Sequence, residues 1–424
     1  MRCVFSVLGL FAVVTLATGA TAQTLDDEAV VKWSDLFTNA PREKRTPSTL
    51  LPLQQRWSVT LTASPVAAPV AGGDRVFVAL ADGHIVAVDL SDGSELWQVM
   101  QMVEGQPTAG GGMLYAASRT ELRALNFITG GAHWVLALDA GVSAPLVWNA
   151  GWLIVALENN TLLAIRAESG EILWEQQVDG AVLVPPALAG DRMYVSLESG
   201  QIRALQLLTG KTVWERTLDG APQQILPLDD LFVGTTGNYF YRLSKEDGTT
   251  EWRWRTGGDV VGLPAVDEHL VFFASLDNVL WALDRRDGGQ QWRQTLPVRP
   301  ISGPRHAGDL ILQGGRSTEL TLFSREDGTI YGAVAAPSES ELVFSPSTTA
   351  DPARDGRLLV MVAGDGQLQA VGGGTGPVRL DPAVALVLSK NYDSAGEVDA
   401  ASSSDDTPGT APAVVIPSPV IPPP

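Results

Sequence analysis

The sequence predicts an all-β protein: an eight-bladed β-propeller of four-stranded antiparallel blades, closed by the N-terminal strand pairing with the last blade. Three observations carry this. A turn glycine recurs at Gly93, Gly130, Gly170, Gly210, Gly248, Gly288 and Gly328, at spacings of 37, 40, 40, 38, 40 and 40 residues. Four residues after each of the first six stands a tryptophan: Trp97, Trp134, Trp174, Trp214, Trp252 and Trp292. A seventh, Trp57, keeps the register 40 residues before Trp97 with no complete repeat ahead of it, whereas the last repeat ends without a tryptophan strand. Short strands repeating at a period near 40 are the mark of a propeller.

Taken in order, residues 1–22 read as a signal peptide. Arg2 supplies the positive end, residues 4–16 an apolar core, and Ala20-Thr21-Ala22 a small-x-small cleavage site. Residues 23–54 form a polar arm, within which Ala29, Val30, Trp33 and Leu36 predict one short amphipathic helix over 25–37. The propeller occupies 55–371. Its first strand is the lone stretch around Trp57. Each blade then opens with an inner strand around a proline, as at 67–70, 143–146 and 262–265, because a residue without an N–H suits the start of a strand. The second strand is the most apolar (75–80, 153–157, 192–197, 270–274). The third ends in an Asp-Gly-type turn, and the fourth carries the tryptophan. In blade seven Gly328 is followed by Thr329-Ile330-Tyr331, which reads as drift of the repeat. Residues 342–344, 357–362 and 367–371 supply three strands of the last blade, and the N-terminal strand supplies its fourth, leaving no open edge. From 372 to 424 the chain turns acidic and then proline-rich, a composition expected to be disordered or polyproline-like.

The bulk numbers narrow the chemistry. A net charge of −19 disfavours nucleic acid and anionic membrane surfaces as partners. The one cysteine, Cys3, lies in the signal segment, so the body has no disulfide, thiolate metal site, haem attachment or cysteine nucleophile. Beyond the signal no apolar run approaches the ~20 residues that cross a bilayer. The four histidines, His84, His133, His269 and His306, fall in different repeats without metal-ligand spacing. Thr209-Gly210-Lys211-Thr212 looks like the end of a phosphate loop, but Leu205 stands where that motif needs its first glycine, and the hairpin reading prevails. No GxSxG motif occurs. No catalytic, cofactor-binding or metal-binding residue is therefore assigned.

The repeat stands as DGHIVAVDLSDGSELW (82–97), SGQIRALQLLTGKTVW (199–214) and DNVLWALDRRDGGQQW (277–292). It resembles the pyrroloquinoline-quinone-type propeller repeat, over about residues 55–371. The resemblance implies that Trp57, Trp97, Trp134, Trp174, Trp214, Trp252 and Trp292 dock between blades as a girdle, a use that suits a large ring with one N–H to satisfy. Two branches share the repeat: quinone-dependent alcohol dehydrogenases, and the BamB family of outer-membrane β-barrel assembly factors, which is the closer match. The dehydrogenases need a metal site and often a vicinal cysteine pair, and the acidic residues here fall instead at equivalent hairpin turns. The BamB branch usually carries a lipobox cysteine after the signal, which is not present here.

On that resemblance the chain is expected to be a non-catalytic periplasmic scaffold at the inner face of the outer membrane. It would contact the barrel-assembly protein through loops of one propeller face. In that branch an apolar pair followed by arginine on one middle connector, and aspartates on the next, make the contact. Leu183 and Val184 match the apolar pair and Asp219 an acidic position, while Pro185 stands where the arginine would be. Leu183 and Val184 are equally readable as the start of an inner strand. The alternatives are a general extracytoplasmic protein-binding propeller and a quinone-dependent dehydrogenase.

Overall fold

The computed structural model describes residues 54–338, 342, 347–351 and 356–372. They fall in one of two compact units, Pro47–Pro424, the other being Met1–Thr46. The signal segment, the arm with its helix over 25–37 and the C-terminal tail lie outside the described residues.

Eight separate four-stranded antiparallel sheets follow one another along the chain. Blade one is built from Val70–Gly72, Arg75–Ala79, His84–Asp89 and Glu95–Met100. The same order recurs in blades two (108–137), three (147–177), four (187–217), five (222–255), six (260–295) and seven (305–335). Blade eight takes Ser347–Asp351, Gly356–Val362 and Gln367–Gly372 from the C-terminal end, and its outer strand is Gln54–Thr60. Trp57 lies opposite Ala370 and Val59 opposite Leu368 in that closing ladder. Gln367 Nε2 donates to Thr60 Oγ1 at 2.7 Å, and Gln369 Nε2 to Gln55 Oε1 at 3.2 Å. The ring is therefore closed by pairing of its own two ends.

The uninterrupted apolar character of the second strands has a simple cause: both faces are buried. In Arg75–Ala79, Val76 and Val78 pack with Leu358 and Val360 of blade eight, while Phe77 and Ala79 pack with Leu114 and Ala116 of blade two. Successive side chains of a strand point to opposite faces. A blade sandwiched between two others thus needs apolar residues at every position, not at every second one.

In blades one and three the inner strands begin later than the sequence reading has them. Val70–Gly72 begins after Pro69, and Val147–Asn149 begins two residues after Pro145. A proline cannot donate to the ladder, so it interrupts the pairing instead of opening it. What precedes is a single bridge five residues ahead of the strand: Pro65 to Leu80, Val142 to Leu157 and Pro300 to Gly315. Blade eight follows the same rule. Leu342 only bridges Ala363, and the inner strand is Ser347–Asp351, not 342–344. In blade six the two pieces merge into Val260–Val266, with Pro264 inside the register shift between Val261 and Ala265.

At the blade junctions the indole Nε1 of Trp57, Trp97, Trp134, Trp174, Trp214, Trp252 and Trp292 donates to the carbonyl oxygen of Leu90, Phe127, Ala167, Leu207, Lys245, Arg285 and Arg325 in the following blade, at 2.7–3.1 Å. Each acceptor sits three residues before the turn glycine. Each indole lies over that glycine, with ring carbons 2.6–3.0 Å from where a Cβ would stand. The turn glycine is thus required twice, by a φ near +70° and by the ring above it. In every ladder that includes the tryptophan strand the register slips by one residue just before the tryptophan, as at Leu96 between Ala87/Trp97 and Val88/Glu95. This bulge re-aims the indole out of its own sheet and toward the next blade.

Candidate docking face

In a four-stranded blade the second-to-third turn and the connector to the next blade lie on one face. In blade four the turn Leu197–Gly200 is held between two such connectors. Glu198 N–H donates to Ala181 O at 2.9 Å, and Leu218 N–H to Gly200 O at 2.8 Å. The connectors over 178–186 and 218–221, which carry Leu183, Val184 and Asp219, are therefore anchored to opposite sides of the same turn.

On the first connector Val178 and Val182 are buried in the core between blades three and four. Leu183 points the other way and is 52% exposed, and Val184 is half-buried. Both precede the inner strand Ala187–Ala189, so they belong to the connector and not to the strand. Two further side chains occupy the position of Leu183, one residue past the bridge in their own blades: Val66 and Ile301, each exposed. The same connector is pinned by Arg203, from the third strand of blade four, whose Nη2 lies 2.7 Å from Asp179 Oδ2. Its Nε lies 3.3 Å from Glu215 Oε2.

Asp219 is not a free acid. Its Oδ2 accepts from Arg253 Nη1 at 2.8 Å and from the Tyr241 hydroxyl at 3.1 Å. Its backbone carbonyl accepts from Thr235 Oγ1 at 2.6 Å. Arg253 in turn stacks over the Tyr239 ring, 4.9 Å from its centre. Burial pushes the Tyr241 hydroxyl above its ordinary pKa, so at neutral pH it stays a donor to the carboxylate. From the two sides of one turn the connectors offer an aliphatic knob and a charge-paired, aromatic-backed polar patch. An apolar anchor with paired polar groups around it is the make-up of a protein interface.

Arg203, Arg253, Tyr239 and Tyr241 were not singled out by the sequence. A signal was there: Tyr239-Phe240-Tyr241-Arg242 and Trp252-Arg253-Trp254-Arg255 alternate strictly, which in strands puts the tyrosines on one face of theirs and the arginines on one face of the other.

Among known proteins, the family model described as outer membrane protein assembly factor BamB matches residues 54–141, 118–228 and 198–387. Two curated relatives carry the same description. That of Legionella pneumophila (strain Paris) is 25% identical over 138 residues, covering 32% of this chain and 33% of its own. That of Alteromonas naphthalenivorans is 28% identical over 151 residues, covering 33% and 36%. The matched stretch thus spans about a third of the length of each curated relative. The crystal structure of BamB from Moraxella catarrhalis is similar with a TM-score of 0.62 at 21% identity, over 76% of this chain and 99% of that one. A quinohaemoprotein alcohol dehydrogenase from Pseudomonas putida HK5 is similar with a TM-score of 0.61 at 13% identity, over 78% and 77%. At these identities the two structures show a shared fold.

Proposed function

Since the chain belongs to the outer membrane protein assembly factor BamB family, we propose that it is a non-catalytic periplasmic scaffold that assists assembly of β-barrel proteins into the outer membrane. The observation that carries this is Leu183: an aliphatic side chain held in water on a connector fixed to the blade-four turn, whose other side holds the connector of the Asp219–Arg253 pair. A rigid connector loses little entropy on docking, and a central apolar anchor ringed by polar contacts is how binding energy concentrates in a protein interface. The signal-like segment at 1–22 supports the location, and the family description supports a role in outer membrane protein assembly.

Crosslinking the full chain in an envelope extract, followed by affinity capture and mass spectrometry, tests the reading. It expects the barrel-forming assembly protein among the strongest partners, with recovery falling about tenfold for Leu183→Glu, the effect of losing about 1.4 kcal/mol. Enrichment of other envelope proteins without that partner would keep the fold and overturn the function.

A further inference from the structure

The chain has six methionines. Met193 and Met361 are buried in the core and Met113 is half-buried at the edge of a strand, the usual place for a thioether. Met100 and Met102 are different. They are 65% and 64% exposed, Met100 as the last residue of the outer strand of blade one and Met102 on the connector that leaves it. Between them Gln101 is 4% exposed and acts as the anchor. Its N–H donates to Gly83 O at 2.8 Å, and its Nε2 to Met102 O at 2.9 Å. With the middle residue turned inward, the period of two in extended backbone turns both methionines outward together.

Both sulfurs converge on one point. A Cβ at Gly83 would stand 2.7 Å from Met102 Sδ and 3.4 Å from Met100 Sδ. Gly83 itself sits at φ +87°, so the cradle is one that only glycine leaves open. The next residue is His84, which faces Met100 directly in the antiparallel ladder. Opposed residues share a face of the sheet, with Cβ atoms about 5 Å apart. Asp82 Oδ1 accepts from the His84 backbone N–H at 3.1 Å and lies 3.2 Å from the ring Nδ1. The carboxylate lies on the Nδ1 side of the ring, without full hydrogen-bond geometry. Nε2 is the ring nitrogen on the side away from it. A carboxylate behind a histidine whose other nitrogen is available is the usual outer support of a metal-binding imidazole.

We propose that Met100, Met102 and His84 form a binding site for a soft monovalent cation, Cu(I). Two thioethers and one imidazole carry no charge and are a soft donor set, which selects Cu(I) over the harder divalent ions that prefer oxygen and nitrogen. Binding needs no redox step: the ion enters as Cu(I), and three lone pairs replace solvent or buffer ligands. The site lies on blade one, away from the blade-four and blade-five connectors, and it stands whether or not those connectors dock a partner.

The test is a competition titration of the full chain, with Cys3→Ser to remove the one thiolate, against a chromophoric Cu(I) chelator under reducing conditions. One equivalent of Cu(I) is expected to be held, and X-ray absorption should show two sulfurs and one nitrogen at the copper. Met100→Leu with Met102→Leu keeps the volume and the fold, and should weaken binding at least a hundredfold. His84→Gln should weaken it about tenfold. Zn(II) should not compete. Thermal melts of each variant without metal check that the fold is intact. Failure to hold Cu(I), equal affinity in the double leucine variant, or a copper shell of nitrogen and oxygen alone would each overturn the site.

Discussion

Two kinds of blade junction occur in the ring. Seven are sealed by an indole lying on the turn glycine of the next blade and bonded to the carbonyl three residues before it. The junction between blades seven and eight is not. There the ladder register gives the girdle position to Gly332, which among the described residues has no atom within 4 Å of where its Cβ would be. Tyr331, which follows Ile330, is the residue skipped by the bulge. The reason lies in blade eight. Its third and fourth strands come from opposite ends of the propeller, Gly372 facing Gln54 across the closing ladder. Those two strands are not consecutive in the chain, so no hairpin of the kind the indoles cover elsewhere joins them. Blade seven thus lacks the girdle tryptophan where the next blade lacks that hairpin. What holds this junction is aliphatic: Leu310, Leu312, Leu320 and Leu322 against Leu359, Met361 and Val371.

The largest effect should come from emptying a sealed junction. Trp57→Ala or Trp292→Ala, both at buried positions, is expected to cost about 3–5 kcal/mol in urea unfolding. Tyr331→Ala should cost distinctly less, about 1–2 kcal/mol, for a half-buried ring at the edge of the aliphatic junction. Equal costs would erase the distinction between the junctions.

Next come the glycines. Gly151 and Gly170 share a left-handed backbone, but only Gly170 lies under an indole, that of Trp134, 2.9 Å from its Cβ position. Gly151→Ala should cost about 1 kcal/mol from backbone strain alone. Gly170→Ala should cost more, and a double-mutant cycle with Trp134→Ala should show about 1 kcal/mol or more of coupling. Additivity in that cycle would mean that glycine and tryptophan recur independently.

Tyr115 and Tyr194 pack beside the junction indoles Trp134 and Trp214, and burial pushes both hydroxyls from 10.0 up to about 12. A raised value means that the folded state keeps its proton longer than the unfolded chain does. That contribution is complete below pH 10 and is lost as pH rises toward about 12. Spectroscopic titration should find Tyr115 and Tyr194 ionising late, with Tyr241 raised as well, and Tyr115→Phe should remove one of these and flatten the alkaline loss of stability. The smallest effect is Asp219→Asn. The pair with Arg253 is solvent-exposed, so stability should change by less than about 1 kcal/mol in a thermal melt.

The girdle and the blade count were legible because they depend on residue types at fixed offsets: a glycine for the turn and an indole four residues on. The closing strand was legible for the same reason, since Trp57 keeps the register with nothing before it. Other features were not. The start of each inner strand depends on how a proline breaks a ladder, so Leu342 looked like strand and proved to be a bridge. The partners of Asp219 lie 22 and 34 residues away, and only the ring geometry brings Tyr241 and Arg253 to it. Met100 and Met102 form no motif in the sequence, and it is the fold that brings their sulfurs together over Gly83.

The most direct test of the scaffold account compares the two faces in the living envelope. A photo-crosslinking residue at Leu183 reports the connector face. The same probe at Leu208, 67% exposed in the third-to-fourth turn of blade four, reports the opposite one. The account predicts a crosslink to the barrel-forming assembly protein from position 183 and none from 208. A crosslink from 208 alone, or from neither position, would contradict it.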